Sequence, residues 1–209
     1  MGQGADMART AGWWVMAVLA VLVGLVSYRY LIPDGPALAP PILANRFTPI
    51  GALTVHAGFA STALILGPFQ FLAGLRRKRP ALHRRIGTTY VICCVVAGLA
   101  GLVLAFGAQT GPISTAGFGL LALAWLGTTI QAWRLARARR FVEHERWMIR
   151  SFALTLAAVT LRLYLPLAFL SPLGGDDTYR AISFLCWVPN LIIAELWLAA
   201  RGRRPATAG

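Results

Sequence analysis

The sequence predicts an all-α fold: a polytopic membrane helical bundle of about six transmembrane helices, forming one integral membrane domain over 1–209. Three observations predict it. The 209-residue chain is 57% hydrophobic and only 13% charged, with a mean hydropathy of +0.65, whereas soluble domains average about 25% charged residues. Six apolar runs approach the roughly 20 residues that a helix needs to cross the hydrocarbon layer. The 20 Lys and Arg residues, against 7 Asp and Glu, gather between alternate runs rather than within them.

The runs cover about 12–32, 49–75, 86–107, 115–133, 151–171 and 181–200. Apolar residues occur on every side of each, as contact with lipid and with neighbouring helices together requires. Open strands are excluded because unpaired backbone is too costly in hydrocarbon. The first run lies between Arg9 and Ala37-Leu38-Ala39, a pattern that resembles a signal-peptide cleavage site. The apolar stretch is long for a signal and ends well before that site, so an uncleaved anchor is expected. Position 6 is Asp6 rather than Ser or Thr, so the opening Met1-Gly2 is not a myristoylation signal. Gly67-Pro68 in the second run is expected to kink its helix and free a carbonyl. Cys93, Cys94 and Cys186 lie inside apolar runs, are odd in number and form no CxxC. They are read as small buried apolar residues rather than a disulfide or zinc framework.

Charge orients the bundle. Arg76, Arg77, Lys78, Arg79, Arg84 and Arg85 follow the second run; Arg134, Arg137, Arg139, Arg140, Arg146 and Arg150 follow the fourth; Arg201, Arg203 and Arg204 follow the last. The opposite connections carry little Lys or Arg: Asp34 and Arg46, then no charge between Gly107 and Thr115, then Asp176, Asp177 and Arg180. The positive-inside rule therefore puts both termini and the Arg-rich loops in the cytoplasm. The net charge of +13 is assigned to basic loops at the lipid bilayer, facing anionic lipids of the cytoplasmic leaflet, and not to nucleic acid.

The two Arg-rich loops resemble each other. At one constant offset, Arg76 meets Arg137, Arg79 meets Arg140, His83 meets His144 and Arg85 meets Arg146. The same offset pairs Gln70 with Gln131, Gly58 with Gly119, Thr54 with Thr115 and Ala97 with Ala158. In a chain with three histidines, a paired His flanked by paired Arg and preceded by a paired Gln outweighs the Ala and Gly matches. One interpretation is chance in a biased composition. The other is a parallel duplication of the second–third and fourth–fifth helices, giving a pseudo-twofold four-helix core with the first and sixth helices as additions.

Polar residues inside the membrane are the functional candidates. His56 lies about two turns into the second helix, and Arg162 in the outer half of the fifth, at similar depth. With Asn190 they outline a polar pocket whose Arg162 would hold a carboxylate, a propionate or a lipid phosphate. Alternatively, Arg162 snorkels outward or bonds to a carbonyl freed near Pro166. Glu195 is expected to pair with an Arg of the basic loops. His83 and His144 admit three readings: interfacial residues with no further role, the two axial ligands of one haem b, or a quinone, lipid head-group or metal site. In the haem reading Gln70, Gln131, Arg84 and Arg146 line the cofactor or neutralise it. Three histidines cannot supply the four ligands of a di-haem protein. No G-x-S-x-G, P-loop, HExxH or EF-hand loop is present, so soluble-enzyme chemistry has no support. Few carboxylates argue against a cation channel.

His56-Ala57-Gly58, Gly67-Pro68-Phe69-Gln70-Phe71, Leu82-His83-Arg84-Arg85-Ile86-Gly87 with Tyr90, and His144-Glu145-Arg146-Trp147-Met148-Ile149-Arg150-Ser151 together resemble a family of bacterial predicted membrane proteins, domain of unknown function 2306. The resemblance covers about 49–166. It implies a multi-pass protein of the bacterial inner membrane and singles out the three histidines, without naming a reaction. The expected function is a haem-b-binding or quinone-linked membrane redox protein. The alternative is a non-enzymatic transporter or accessory subunit that binds an anionic small molecule or lipid at His56, Arg162 and Asn190.

Overall fold

A computed structural model describes residues 3–32, 34, 50–108, 110–170, 172 and 175–202. Met1-Gly2, Ala37-Leu38-Ala39, Arg46, Arg203 and Arg204 lie outside the described residues. Those described fold into α-helices and short 3-10 turns, with no strand. Six helical stretches are long and apolar enough to cross a membrane: Thr10–Leu31, Ile50–Phe71, Pro80–Phe106, Pro112–Arg137, Phe141–Pro166 and Gly175–Arg201. Backbone contacts divide the chain into two compact units, Met1–Gln109 and Thr110–Gly209.

In the first unit, α1 (Gln3–Ser27) runs into a 3-10 turn at Tyr28–Leu31. It packs on α2 (Ile50–Leu66). Gly24 makes the approach possible, since a Cβ there would sit 2.6 Å from Cγ1 of Ile65. Tyr28 and Thr62 share a hydrogen bond of 2.7 Å across the same contact. Small residues and interhelical hydrogen bonds are how helices associate where lipid removes the hydrophobic drive. The expected kink at Gly67-Pro68 is a full break. α2 stops at Leu66, a 3-10 turn follows at Pro68–Phe71, and α3 (Ala73–Lys78) restarts the helix. Pro68 has no N–H to continue the ladder. α4 (Pro80–Phe106) then packs along α2, with Pro80 in the first turn, where its missing donor costs nothing.

The second unit opens with α5 (Pro112–Arg137), which is unbroken. α6 (Phe141–Thr155) pairs with it and leads through Leu156 into α7 (Ala157–Leu170). α8 (Gly175–Leu185) packs on α5 and α7, and α9 (Val188–Gly202) on α6. Pro189 explains the break between α8 and α9, because it removes one helical donor. Side chains take over the freed carbonyls: Trp187 Nε1 donates to Ser183 O at 3.0 Å, and Asn190 Nδ2 to Cys186 O at 3.2 Å. Gly117 on α5 lies against Ser183 on α8; a Cβ there would be 2.2 Å from Ser183 Oγ. Ala157, Ile182 and Cys186 are buried beside it, packed by Phe118, Leu121, Leu161, Tyr164 and Trp187.

The basic segments differ from the expected loops. Arg76, Arg77 and Lys78 belong to α3, Arg84 and Arg85 to α4, Arg134 and Arg137 to α5, and Arg146 and Arg150 to α6. Hydropathy marks the hydrocarbon layer, whereas Arg is a good helix former. The helices therefore run past the apolar runs, and the true connections shrink to a few residues about Arg79 and Ala138–Arg140.

Candidate functional site

The offset that pairs His83 with His144 recurs in the backbone. It carries Pro80, the first residue of α4, onto Phe141, the first residue of α6. Arg79 and Arg140 precede these helices with ψ of 63° and 67°. His83 N donates to Arg79 O at 3.0 Å, and His144 N to Arg140 O at 2.9 Å. Each histidine thus occupies the fourth position of a helix that leaves a short Arg-rich connection.

The surroundings of the two rings have diverged. Behind His83, Gly87 and Tyr90 follow at spacings of four and three, which put them on one helical face. Tyr90 is fully buried. Gln70, in the 3-10 turn, is 7% exposed and lies over Gly87; a Cβ at Gly87 would be 2.9 Å from Gln70 Oε1. Gln70 Nε2 is buried with no hydrogen-bond partner among the described residues. A buried amide donor left unpaired is costly. Gln131, its sequence partner, is half-buried in the unbroken α5, so the glutamine match does not extend to local structure.

In the second unit a polar ladder joins α5 to α6. Trp125 Nε1 donates to Thr155 Oγ1 at 2.9 Å, Thr129 and Ser151 share a bond of 2.7 Å, and His144 Nδ1 lies 2.8 Å from Ala132 O. The rungs are one turn apart on α5, and one then two turns apart on α6. Only His144 was singled out in the sequence. The signal for the rest is that Ser151 and Thr155 recur on the His144 face, seven and eleven residues on. The carbonyl accepts from Nδ1–H, which leaves Nε2 as the lone-pair nitrogen. Among the described residues no second hydrogen bond reaches this ring.

Arg84 lies elsewhere. It lines an exposed groove with Ala81, Arg85, Thr88 and Thr89, whose centre lies away from the buried Tyr90. Arg146 is exposed on α6. At the basic end of the second unit Arg150 grips Glu195 with two bonds of 2.5 and 2.9 Å, and Arg201 reaches Glu145 at 3.0 Å. Glu195 is thus held by an Arg of the basic segments. Arg137, Arg150 and Arg201 also stack over Trp133, Trp147 and Trp197.

The polar residues expected to form a pocket have local partners. His56 Nδ1 bonds Ala97 O at 2.9 Å beside Gly101. Arg162 NH1 donates to Ala158 O at 2.8 Å, one turn back on its own helix. Asn190 Nδ2 donates to Thr160 Oγ1 at 2.9 Å. Ala97 and Ala158 match in the repeat, so one carbonyl position is served by a histidine from the neighbouring helix in one unit and by an arginine in the other.

These helices and histidines fall within a family whose model, described as a predicted membrane protein (DUF2306), matches residues 53–198. The chain belongs to the DUF2306 family of predicted membrane proteins. The match extends beyond the quoted motifs through α8 and most of α9, so the last helix is part of the family unit, whereas α1 precedes it. No curated protein and no solved structure matches the chain. It is a multi-pass membrane protein, and the family description names no activity.

Proposed function

We propose that this DUF2306 protein is a membrane redox protein that binds haem b, with Nε2 of His144 as an axial ligand in the second unit and His83 at the corresponding position of the first. The observation that carries the reading is the bond between His144 Nδ1 and Ala132 O. Ligating imidazoles typically donate their other N–H to a carbonyl, which fixes both tautomer and ring plane. Supporting it, both histidines occupy the same position in matched helices, next to Arg side chains that suit propionates. A bound haem supplies one-electron transfer. The protein's part is to hold Nε2 unprotonated at the ligand position and to seal the helix behind it with the Thr129–Ser151 and Trp125–Thr155 bonds. In the same reading the basic helix ends, both termini and the haem face the cytoplasm across a bacterial inner membrane, in keeping with the charge asymmetry of the connections.

The test is the absorption spectrum of full-length protein purified from haem-replete cells. A Soret band should appear and be lost in His144→Ala. A colourless protein overturns the proposal.

A further inference from the structure

The groove on α4 has a matched face in the second unit, and the two faces are finished differently. By the repeat, Ala81, Arg84, Arg85, Thr88 and Thr89 correspond to Val142, Glu145, Arg146, Ile149 and Arg150. On α6 Val142 and Arg146 of that face stay exposed, but two of its charges are met from α9: Glu195 on Arg150 and Arg201 on Glu145. Among the described residues of the first unit no helix stands in the place of α9. Between Asp34 and Glu143 the sequence holds no carboxylate at all. Arg84 and Arg85 make no ion pair among the described residues. The groove they line with two threonines stays exposed.

The face continues down the helix. Ile92, Leu99, Val103 and Phe106 recur at helical spacing on the groove side and are 50–78% exposed. A cationic, hydroxyl-lined groove thus opens onto an apolar stripe of roughly 20 Å at ~1.5 Å per residue. That is the shape of an anion joined to a long apolar chain. In the second unit α9 has the same chemistry, a carboxylate on an apolar helix.

We propose that the α4 face is a binding site for one anionic phospholipid, whose phosphodiester sits between Arg84, Arg85, Thr88 and Thr89 and whose acyl chain lies along Ile92, Leu99, Val103 and Phe106. The lipid occupies on α4 the position that α9 fills on α6. Two guanidiniums select the charge, and the stripe beneath selects a lipid over a soluble phosphate. Arg137 and Arg139, which belong to the other basic segment, serve as the comparison.

Native mass spectrometry of the delipidated full-length protein, titrated with phosphatidylglycerol or phosphatidylcholine, tests the site. Each cation near an anionic headgroup accounts for about fivefold in binding. The R84Q/R85Q variant should therefore lose roughly 30-fold in affinity for the first bound phosphatidylglycerol and none for phosphatidylcholine. R137Q/R139Q and the charge-keeping R84K/R85K should retain it. An equal loss in R137Q/R139Q overturns the site. So does unchanged binding in R84Q/R85Q, displacement by inorganic phosphate at matched concentration, or a dimer of the chain that R84Q/R85Q dissolves.

Discussion

Thr129 and Ser151 share a 2.7 Å hydrogen bond inside the second unit, and the positions matching them in the first unit are Pro68 and Tyr90, both buried. At these positions the second unit has a hydroxyl pair and the first has none. Trp125 and Thr155 repeat the contrast, since their counterparts are the buried Leu64 and Cys94. The two units share these helix starts and differ in the chemistry between the helices.

Breaking one rung of the ladder should be mild and measurable. Ser151→Ala leaves Thr129 a buried hydroxyl that has lost this partner. Interhelical hydrogen bonds in membranes average about 0.6 kcal/mol and reach about 1.7 kcal/mol, so a destabilisation in that range is expected by steric-trapping or SDS unfolding. Thr129→Val combined with Ser151→Ala should cost less than the two single changes added together, because neither partner is then stranded. Additivity would mean that the two hydroxyls do not depend on each other.

Gly117→Ala should be more damaging than any single polar change. The new Cβ would lie 2.2 Å from Ser183 Oγ, 2.8 Å from its Cβ and 3.0 Å from its backbone carbonyl carbon. Overpacking of a closed contact typically costs about 1–3 kcal/mol. Adding Ser183→Ala removes only the hydroxyl clash, so rescue should be partial. Full rescue would show that the backbones can part freely here.

Gln70→Leu should leave stability unchanged or raise it, because a buried amide nitrogen without a partner carries a desolvation cost of about 1–3 kcal/mol. The variant removes that cost at similar volume. A marked loss of stability, read by thermal unfolding in detergent, would mean that the amide bonds a group absent from the described residues.

If the C-terminus faces the cytoplasm, as proposed from the charge asymmetry, a C-terminal fluorescent-protein fusion should fluoresce and an alkaline phosphatase fusion at the same point should be inactive. The opposite pair of results would invert the topology and with it the membrane face of both histidines.

How much of this was legible in the sequence follows from what each signal encodes. Composition and apolar runs gave the six spans, because burial in lipid is decided by side-chain polarity alone. The helix ends were not legible, since Arg76–Lys78 and Arg146 are helical in a layer where polarity says nothing about backbone. Gly67-Pro68 indicates a disturbance, but whether a kink or a break results depends on where the next helix can restart, here Ala73. Pro189 carries an equally plain signal for the α8–α9 break. The histidines stand out by rarity, whereas the Trp125, Thr129, Ser151 and Thr155 rungs do not, because serine and threonine are common and their pairing depends on register. Nor could spacing reveal that His56, Arg162 and Asn190 are each occupied by a partner close at hand.

The first helix touches α2 through a notch at Gly24 and the Tyr28–Thr62 hydroxyl pair, while Trp14, Val15, Val18, Leu22, Leu25 and Val26 are each 50–60% exposed. Every histidine and every rung of the ladder lies within residues 53–198. α1 is therefore a flange bolted to the outside of the family's machinery. It changes what the first unit presents sideways to the membrane plane and contributes no histidine.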